Sequence, residues 1–415
     1  MTMPTFTPFP PPSRLMRLGF VGGGAGAFIG AIHAQAARLS SRWEIVAGAL
    51  SSDPDRARQS GREWLLPSDR TYADFRTMAR AEAAHPQGID AVAIVTPNHL
   101  HAPVAEAFLA EGIDVICDKP LAPTVEDALR LVEAQQASGL VFGVTYAYAA
   151  YSMVRQARAM IRAGELGDLR QIHVEYFQEF AATLIADAGG KQPWRVDPAR
   201  SGGSFTTGDI GTHAVHLASF VTGQPATSVR ADFHVSGEPK DLEDTAFCHM
   251  RFGCVPGTLM VSQAAIGNQC GLRLRVFGTK AALDWNQERG DELIVTPFDA
   301  PAQRYQSGFA GGLYPEARRL ARMPRGCPEG ILEAWANLYT ELGLAVEARR
   351  TGQVLPDGML GYPTVKDAAA GVAFVEAAVR SNESGSWEDC ELNASTDEGS
   401  TGEPGLPGKG VSVQS

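Results

Sequence analysis

Three side chains in this sequence have the types and the spacing to move a proton. Asp209 and His213 stand four residues apart in Gly208-Asp-Ile-Gly-Thr-His213. On a helix that begins near Asp209, this spacing puts both on one face, where the carboxylate can orient the imidazole. Such an imidazole takes or gives a proton near neutral pH. The third is Lys119, between Asp118 and Pro120 and just past the strand predicted over Ile113–Cys117. Proline disfavours helix at the residue before it, so the backbone at Lys119 is stiff. An ammonium held there can stabilise a developing oxyanion. Each residue also has a plainer reading: Asp209 as a helix cap, His213 as a buried, hydrogen-bonded core residue, Lys119 as a solvated surface lysine. A two-ligand metal site is a third reading for Asp209 and His213. No third ligand occurs at sensible spacing, so no metal is expected.

These residues need a scaffold, and the N-terminal stretch supplies one. Leu18 to Val21 is a short apolar run that predicts a buried strand. Glycines follow at 22, 23, 24, 26 and 30, and Ala27 to Leu39 reads as a helix. Strand, glycine turn and helix form the context of a dinucleotide-binding loop, in which Gly22, Gly24 and Gly26 let the backbone approach a pyrophosphate. The N–H groups at the helix start then face that anion. A glycine turn that merely joins a strand to a helix is the alternative.

The second strand, Trp43 to Leu50, ends in Ser51-Ser52-Asp53-Pro54-Asp55. An acid there pairs with the ribose of NAD, while hydroxyls and an arginine suit the 2′-phosphate of NADP. Ser51, Ser52 and Arg56 are compatible with NADP. Asp53 fits either a ribose contact or a cap on the helix that Pro54 begins. Ile89 to Thr96 is continuously apolar, as in a parallel strand buried on both faces. Strands and helices then alternate through Val144, which predicts a doubly wound parallel sheet. Asn98, His101 and Lys119 fall at strand ends, where such sheets bind ligands.

From Tyr146 the texture changes. A helix over Met153–Ala163 and a strand over Leu169–Tyr176 precede an irregular polar loop from Gln192 to Gly203. Strands then follow one another from Val229 to Val295, and helices over Ile331–Arg349 and Thr364–Ser381 finish the chain. This half reads as an α+β unit with a large, mainly antiparallel open sheet. The expected division is a disordered leader over 1–14, a nucleotide-binding domain over 15–145, a substrate and oligomerisation domain over 146–392 and a disordered tail over 393–415. The open sheet would be covered by a second copy, in a homodimer or homotetramer.

The 415 residues carry a net charge of −11, with 44% hydrophobic and 20% charged residues. An acidic chain without a long basic run argues against nucleic acid and anionic membranes as partners. No apolar run approaches the length of a spanning helix, about 18 residues. The N-terminal stretch lacks a basic and an apolar signal region. The six scattered cysteines, at 117, 248, 254, 270, 327 and 390, include no CxxC and read as reduced thiols of a cytoplasmic protein.

Four segments together resemble one family: the glycine cluster running into Phe28-Ile-Gly-Ala-Ile-His33, Thr96-Pro-Asn-His-Leu-His101, Asp118-Lys119-Pro120, and Asp209-Ile-Gly-Thr-His213. They are similar in order and position to the glucose–fructose oxidoreductase / inositol dehydrogenase / MocA (Gfo/Idh/MocA) family. The family's usual Glu-Lys-Pro is Asp118-Lys119-Pro120 here. The resemblance implies an NAD- or NADP-dependent dehydrogenase acting on a secondary alcohol of a sugar, a cyclitol or a glycoside. It implies catalytic positions at Lys119, Asp209 and His213, and a pyrophosphate loop at Gly22, Gly24 and Gly26. Further cofactor contacts are implied at Thr96, Asn98, His101, Asp118 and Lys119, and substrate-side groups at Tyr148, Trp194 and Arg195. Two other functions fit the same residues: a lyase that uses bound NAD transiently, and a regulatory protein that senses NAD(P)H.

Overall fold

The computed structural model describes residues 9–187, 189, 193–309 and 311–392. The expected tail and the first eight residues of the expected leader lie outside the described residues.

The first half alternates strand and helix: β1 Met16–Gly22, α1 Phe28–Leu39, β2 Trp43–Ala49, α2 Pro54–Glu63, α3 Phe75–Ala84, β3 Ala91–Val95, α4 His101–Ala110, β4 Asp114–Cys117, α5 Val125–Ser138 and β5 Phe142–Val144. The five strands form a parallel sheet in the order β2-β1-β3-β4-β5. All five residues of β3 are buried, as its unbroken apolar run requires. The strand order reverses between β1 and β3. That reversal opens a crevice at the carboxyl ends of the strands, where the glycine turn, Thr96 and Lys119 all lie.

The second half opens with α6 Ser152–Arg162, β6 Leu169–Phe177 and the single turns α7 Leu184–Asp187 and α8 Pro198–Ser201. A π-helical turn, Thr207–Gly211, runs straight into α9 Thr212–Thr222. Then come β7 Ala226–His234, β8 Thr245–Phe252, β9 Val255–Ser262, β10 Gly271–Gly278, β11 Ala281–Asn286, β12 Glu292–Pro297 and β13 Gln303–Gln306. The short α10 Pro315–Arg318, the long α11 Ile331–Thr351 and α12 Val365–Ser384, and β14 Glu388–Asp389 complete the fold. Nine strands form one sheet in the order β13-β12-β11-β10-β6-β9-β8-β7-β14, antiparallel except where β6 meets β9. β13 and β14 extend the sheet beyond the strands legible in the sequence.

The two last helices do not stay with the half of the chain that precedes them. Trp335, Leu338, Tyr339 and Leu342 of α11 pack against Leu18, Phe20, Ala34 and Ala37 of the first sheet and α1. On α12, Val365, Ala368 and Val372 join the core of the first sheet, while Phe374, Ala377 and Ala378 join that of the second. A parallel sheet needs both faces covered, and α11 and α12 supply part of that cover for the first sheet. A second departure concerns residues 9–14, expected in a disordered leader. Phe9 is buried against Leu320 and Leu344, Ser13 donates to Glu347 at 2.6 Å, and Arg14 pairs with Asp90 at 2.7 Å. An aromatic anchor and an ion pair supply here what a proline-rich composition does not reveal.

Candidate active site

The glycine turn is built by close approach. Gly22 has φ +80°, and a Cβ there would lie 2.8 Å from the Val95 carbonyl oxygen. A Cβ on Gly30 would lie 2.2 Å from the Gly23 carbonyl oxygen, so α1 and the turn touch backbone to backbone. A Cβ on Gly24 would meet Leu50 O at 2.6 Å. Gly26 is open above the turn, where the nearest atom to a Cβ would be Arg56 Nη2 at 3.5 Å. The turn borders a cleft of about 900 Å³ that is also lined by Thr96, Asn98, Asp118, Lys119, Arg195 and Asp209. In its wall the Thr96 hydroxyl is buried without a hydrogen-bond partner. A bare glycine cradle and an unsatisfied hydroxyl fit a dinucleotide, whose phosphates approach backbone N–H groups and whose sugars and amide carry polar partners.

Lys119 reaches across the cleft to the second half. Its Nζ donates to Asp209 Oδ1 at 2.7 Å and to the Asp209 carbonyl at 2.8 Å. The Lys119–Pro120 peptide is cis. Burial alone would raise the Asp209 pKa; the Lys119 charge and hydrogen bond, with the Gln263 amide, bring it down to about 2. A third of that side chain, 34%, is open to the cleft, so water screens part of the attraction. Asp118 sits behind Lys119, accepting from Thr145 Oγ1 at 2.9 Å, with His33 Nε2 at 3.7 Å. Burial opposes its ionisation, but the His33 contact and the Lys119 charge hold it well below the usual carboxylate range.

His213 is nearly buried, 9% exposed, between the rings of Tyr146 and Tyr148, whose centroids lie 5.4 and 5.0 Å away. Burial first, and then the Lys119 charge, push its pKa well below the ordinary value, so the ring is neutral at pH 7. Its Nδ1 has no hydrogen-bond partner among the described residues. The expected Asp209–His213 pairing is therefore not made. The π turn changes the angle per residue just where an α-helix would have aligned the two side chains. Lys119 and Gln263 also occupy both Asp209 oxygens.

The other expected positions divide. Asn98, Asp118 and Arg195 line the cleft, and the Arg195 charge reaches Asp209. Asp53 is exposed and caps α2, accepting from Arg56 N at 2.8 Å, while Ser51 Oγ accepts from Asp53 N at 3.1 Å; Ser52 is exposed beside them. His101, expected at the cofactor, is instead buried behind the wall. Its ring nitrogens lie 2.8 Å from Pro120 O and 2.9 Å from Thr96 O, so it braces the two loops that face the cleft. Tyr148 is buried beside His213, with its hydroxyl 2.5 Å from that of Tyr176. Trp194 starts a short turn, Trp194–Val196, and its side chain lies outside the described residues. Gln263, Gln178, Tyr176, Thr145 and His33 complete the site and were not singled out from sequence as site groups. They come from four separate stretches of chain, Tyr176 and Gln178 sharing the end of β6, and no local pattern marks them.

A parallel sheet with a glycine cradle at its switch point, facing a Lys–Asp pair from two halves of one chain, defines a dinucleotide-dependent oxidoreductase. Residues 16–146 match the model of the oxidoreductase family with an NAD-binding Rossmann fold, and residues 154–284 match the GFO/IDH/MocA C-terminal domain. The chain belongs to the Gfo/Idh/MocA family, and its first domain is an NAD-binding Rossmann domain. The crystal structure of an oxidoreductase from Sinorhizobium meliloti is 43% identical, with a TM-score of 0.82 over 90% of this chain and 99% of that one. An inositol dehydrogenase homolog from Azotobacter vinelandii, complexed with NADH and myo-inositol, is 34% identical, with a TM-score of 0.83 over 92% of this chain and 100% of that one. The levoglucosan dehydrogenase of Pseudarthrobacter phenanthrenivorans is 26% identical over 407 residues, 90% of this chain and 98% of the relative. Among the described residues no helix is long and apolar enough to cross a membrane, and no group of three or more His, Cys, Asp or Glu could hold a metal.

Proposed function

We propose that this protein is a sugar or polyol dehydrogenase that oxidises a secondary alcohol of a cyclitol, sugar or glycoside. The observation that carries this reading is the 2.7 Å Lys119–Asp209 pair at the dinucleotide cleft, beside a neutral imidazole. The relatives named for myo-inositol and levoglucosan support the substrate class. The bound nicotinamide supplies the hydride acceptor. Gly22, Gly24 and Gly26 would hold its pyrophosphate, and Thr96, Asn98 and Asp118, which line the same cleft, would supply further polar contacts to it. His213, neutral, accepts the hydroxyl proton of the substrate. The Lys119 ammonium stabilises the negative charge that grows on that oxygen. Asp209 keeps the ammonium in place, and Arg195 sits on the substrate side. Ser51, not an acid, follows β2, and Asp53 is taken up in capping, so the ribose pocket leaves room for NADP as well as NAD.

The domain division is a nucleotide-binding unit near 15–145 and a substrate unit near 146–392, with α11 and α12 tying them together. The nine-stranded sheet offers its outer face to a second copy, giving a homodimer or homotetramer. The six cysteines are all unpaired, which suits a cytoplasmic enzyme.

The test is turnover. Purified protein is incubated with a panel of cyclitols, aldoses and glycosides, including myo-inositol and levoglucosan, with NAD⁺ and with NADP⁺. Reduced cofactor is followed by its absorbance. Lys119→Ala and His213→Ala each lower kcat more than about tenfold, with cofactor affinity nearly intact. Wild-type turnover in either variant on the true substrate removes these roles.

A further inference from the structure

The carboxylate that faces Lys119 has a second oxygen, and a buried amide holds it. Gln263 Nε2 donates to Asp209 Oδ2 at 2.9 Å. Gln263 is fully buried and directly follows β9, where its backbone N–H donates to Asp244 O at 2.8 Å. Chemistry decides which end of its amide points at Asp209. An ionised carboxylate only accepts hydrogen bonds. Beside it lies a second acceptor, Gln178 Oε1, 3.2 Å from the same Nε2. The Gln263 oxygen is left to accept from Thr206 Oγ1 at 2.8 Å. The reversed amide would set its oxygen against two acceptors, and each buried group left unsatisfied costs about 1–3 kcal/mol.

The chain continues beyond Gln178, whose Nε2 donates to the Tyr176 hydroxyl at 3.1 Å. The Tyr176 hydroxyl lies 2.5 Å from that of Tyr148, and the Tyr148 ring meets His213 edge to face. A series of contacts therefore joins the carboxylate that holds Lys119 to the wall that holds the imidazole, with the Gln263 amide donating both to Asp209 and to Gln178. Its fixed junction is Gln263, because the ionised Asp209 carboxylate sets the polarity of the amide and the end of β9 sets its backbone.

We propose that Gln263 is a positioning residue that clamps Asp209 Oδ2 so that the carboxylate meets the Lys119 ammonium in one orientation. The proposal deepens the dehydrogenase reading and rests on it.

Gln263→Glu separates this role from mere packing, because the side chains match in size and differ in one proton. The new carboxyl group, when protonated, can donate to Asp209 as the amide does. When ionised, it puts two carboxylates in hydrogen-bond contact, and such a pair retains a proton well above the usual carboxylate range. The pair's proton affinity is then higher in the folded than in the unfolded protein. Its contribution to stability is full below the unfolded value and is lost as pH rises through the raised folded one.

Two readouts follow. In kcat against pH, Gln263→Glu shows a descending limb that sets in at lower pH than any in the wild type. In the cofactor-free protein, Tm of Gln263→Glu falls relative to wild type as pH rises, and this fall shrinks in the Asp209→Asn background, which isolates the pairwise contact. Gln263→Leu, similar in size without the donor, loses about tenfold or more in kcat with the cofactor KM unchanged, and it carries the test if Gln263→Glu does not fold. A Gln263→Glu kcat profile parallel to wild type, with or without a Tm limb, overturns the proposal. So does wild-type kcat in Gln263→Leu. Failure of the underlying reading shows separately, as turnover that survives Lys119→Ala, and Gln263 then loses its assigned role with it.

Discussion

Replacing Gly30 by alanine tests the glycine cradle directly. The new Cβ would lie 2.2 Å from the Gly23 carbonyl oxygen and 2.5 Å from Gly23 Cα, both backbone atoms. Ordinary contact begins near 3.4 Å, so α1 and the turn must separate by about 3.4 − 2.2 = 1.2 Å. Overpacking of this kind costs about 1–3 kcal/mol, and no flexible side chain is present to yield. Alanine returns up to about 1 kcal/mol of helix propensity at a position inside α1. The clash outweighs this, leaving a net loss of up to about 2 kcal/mol once the full propensity gain is subtracted. The displaced atoms belong to the cradle itself, so the loss is read as NAD affinity, which drops by up to about thirtyfold. Calorimetric titration with NAD⁺ reads the affinity, and a thermal melt of the free protein reads the remainder. Gly311→Ala is the control, since a Cβ there meets nothing within 4 Å. A Gly30→Ala protein with wild-type NAD affinity and wild-type Tm would refute the close-approach argument.

Three further outcomes follow from other parts of the molecule. Asp53→Ala removes the cap on Arg56 N–H and costs about 1 kcal/mol of stability with NAD affinity held; a tenfold loss of affinity would instead return Asp53 to the ribose. His216 is buried and stacked 4.2 Å from the Tyr146 ring, and burial pushes its pKa from 6.5 to about 4. The unfolded chain binds the extra proton between these values, so stability is full above the unfolded pKa and falls with pH toward the folded one, by up to about 1.4 kcal/mol per pH unit. His216→Phe should flatten that part of the Tm–pH curve, and an unchanged slope counts against the burial argument. Arg155 and Glu341 form a buried pair at 2.9 and 3.1 Å, with side chains 1% and 0% exposed. Arg155→Met strands the Glu341 carboxylate and should cost about 3–5 kcal/mol in urea unfolding; a loss under 1 kcal/mol would show that the site relaxes or hydrates.

Much of this protein is written in short stretches of chain. The glycine turn after β1, the wholly apolar β3, the helix start at Pro54 and the strand-end placement of Lys119 depend only on residues within a turn or a strand of one another. Their periodicity and backbone preferences are local, so the parallel sheet and the cofactor cradle are legible without coordinates. The helical spacing of Asp209 and His213 was also legible, but it pointed to the wrong partner. A π turn and two competing donors decide that Asp209 faces Lys119 and Gln263, from 90 and 54 residues away. Residues 9–14 misled in a similar way, because Phe9 is buried against Leu320 and Leu344, which lie more than 300 residues away in the chain. His101 looks like a ligand by position and is a brace by burial. Which side chains share a desolvated pocket, and so which carboxylate is ionised and which imidazole neutral, depends on contacts between distant elements. Those contacts exist only when two sheets and the helices bridging them close around one cleft, and for that reason only the tertiary structure decides them.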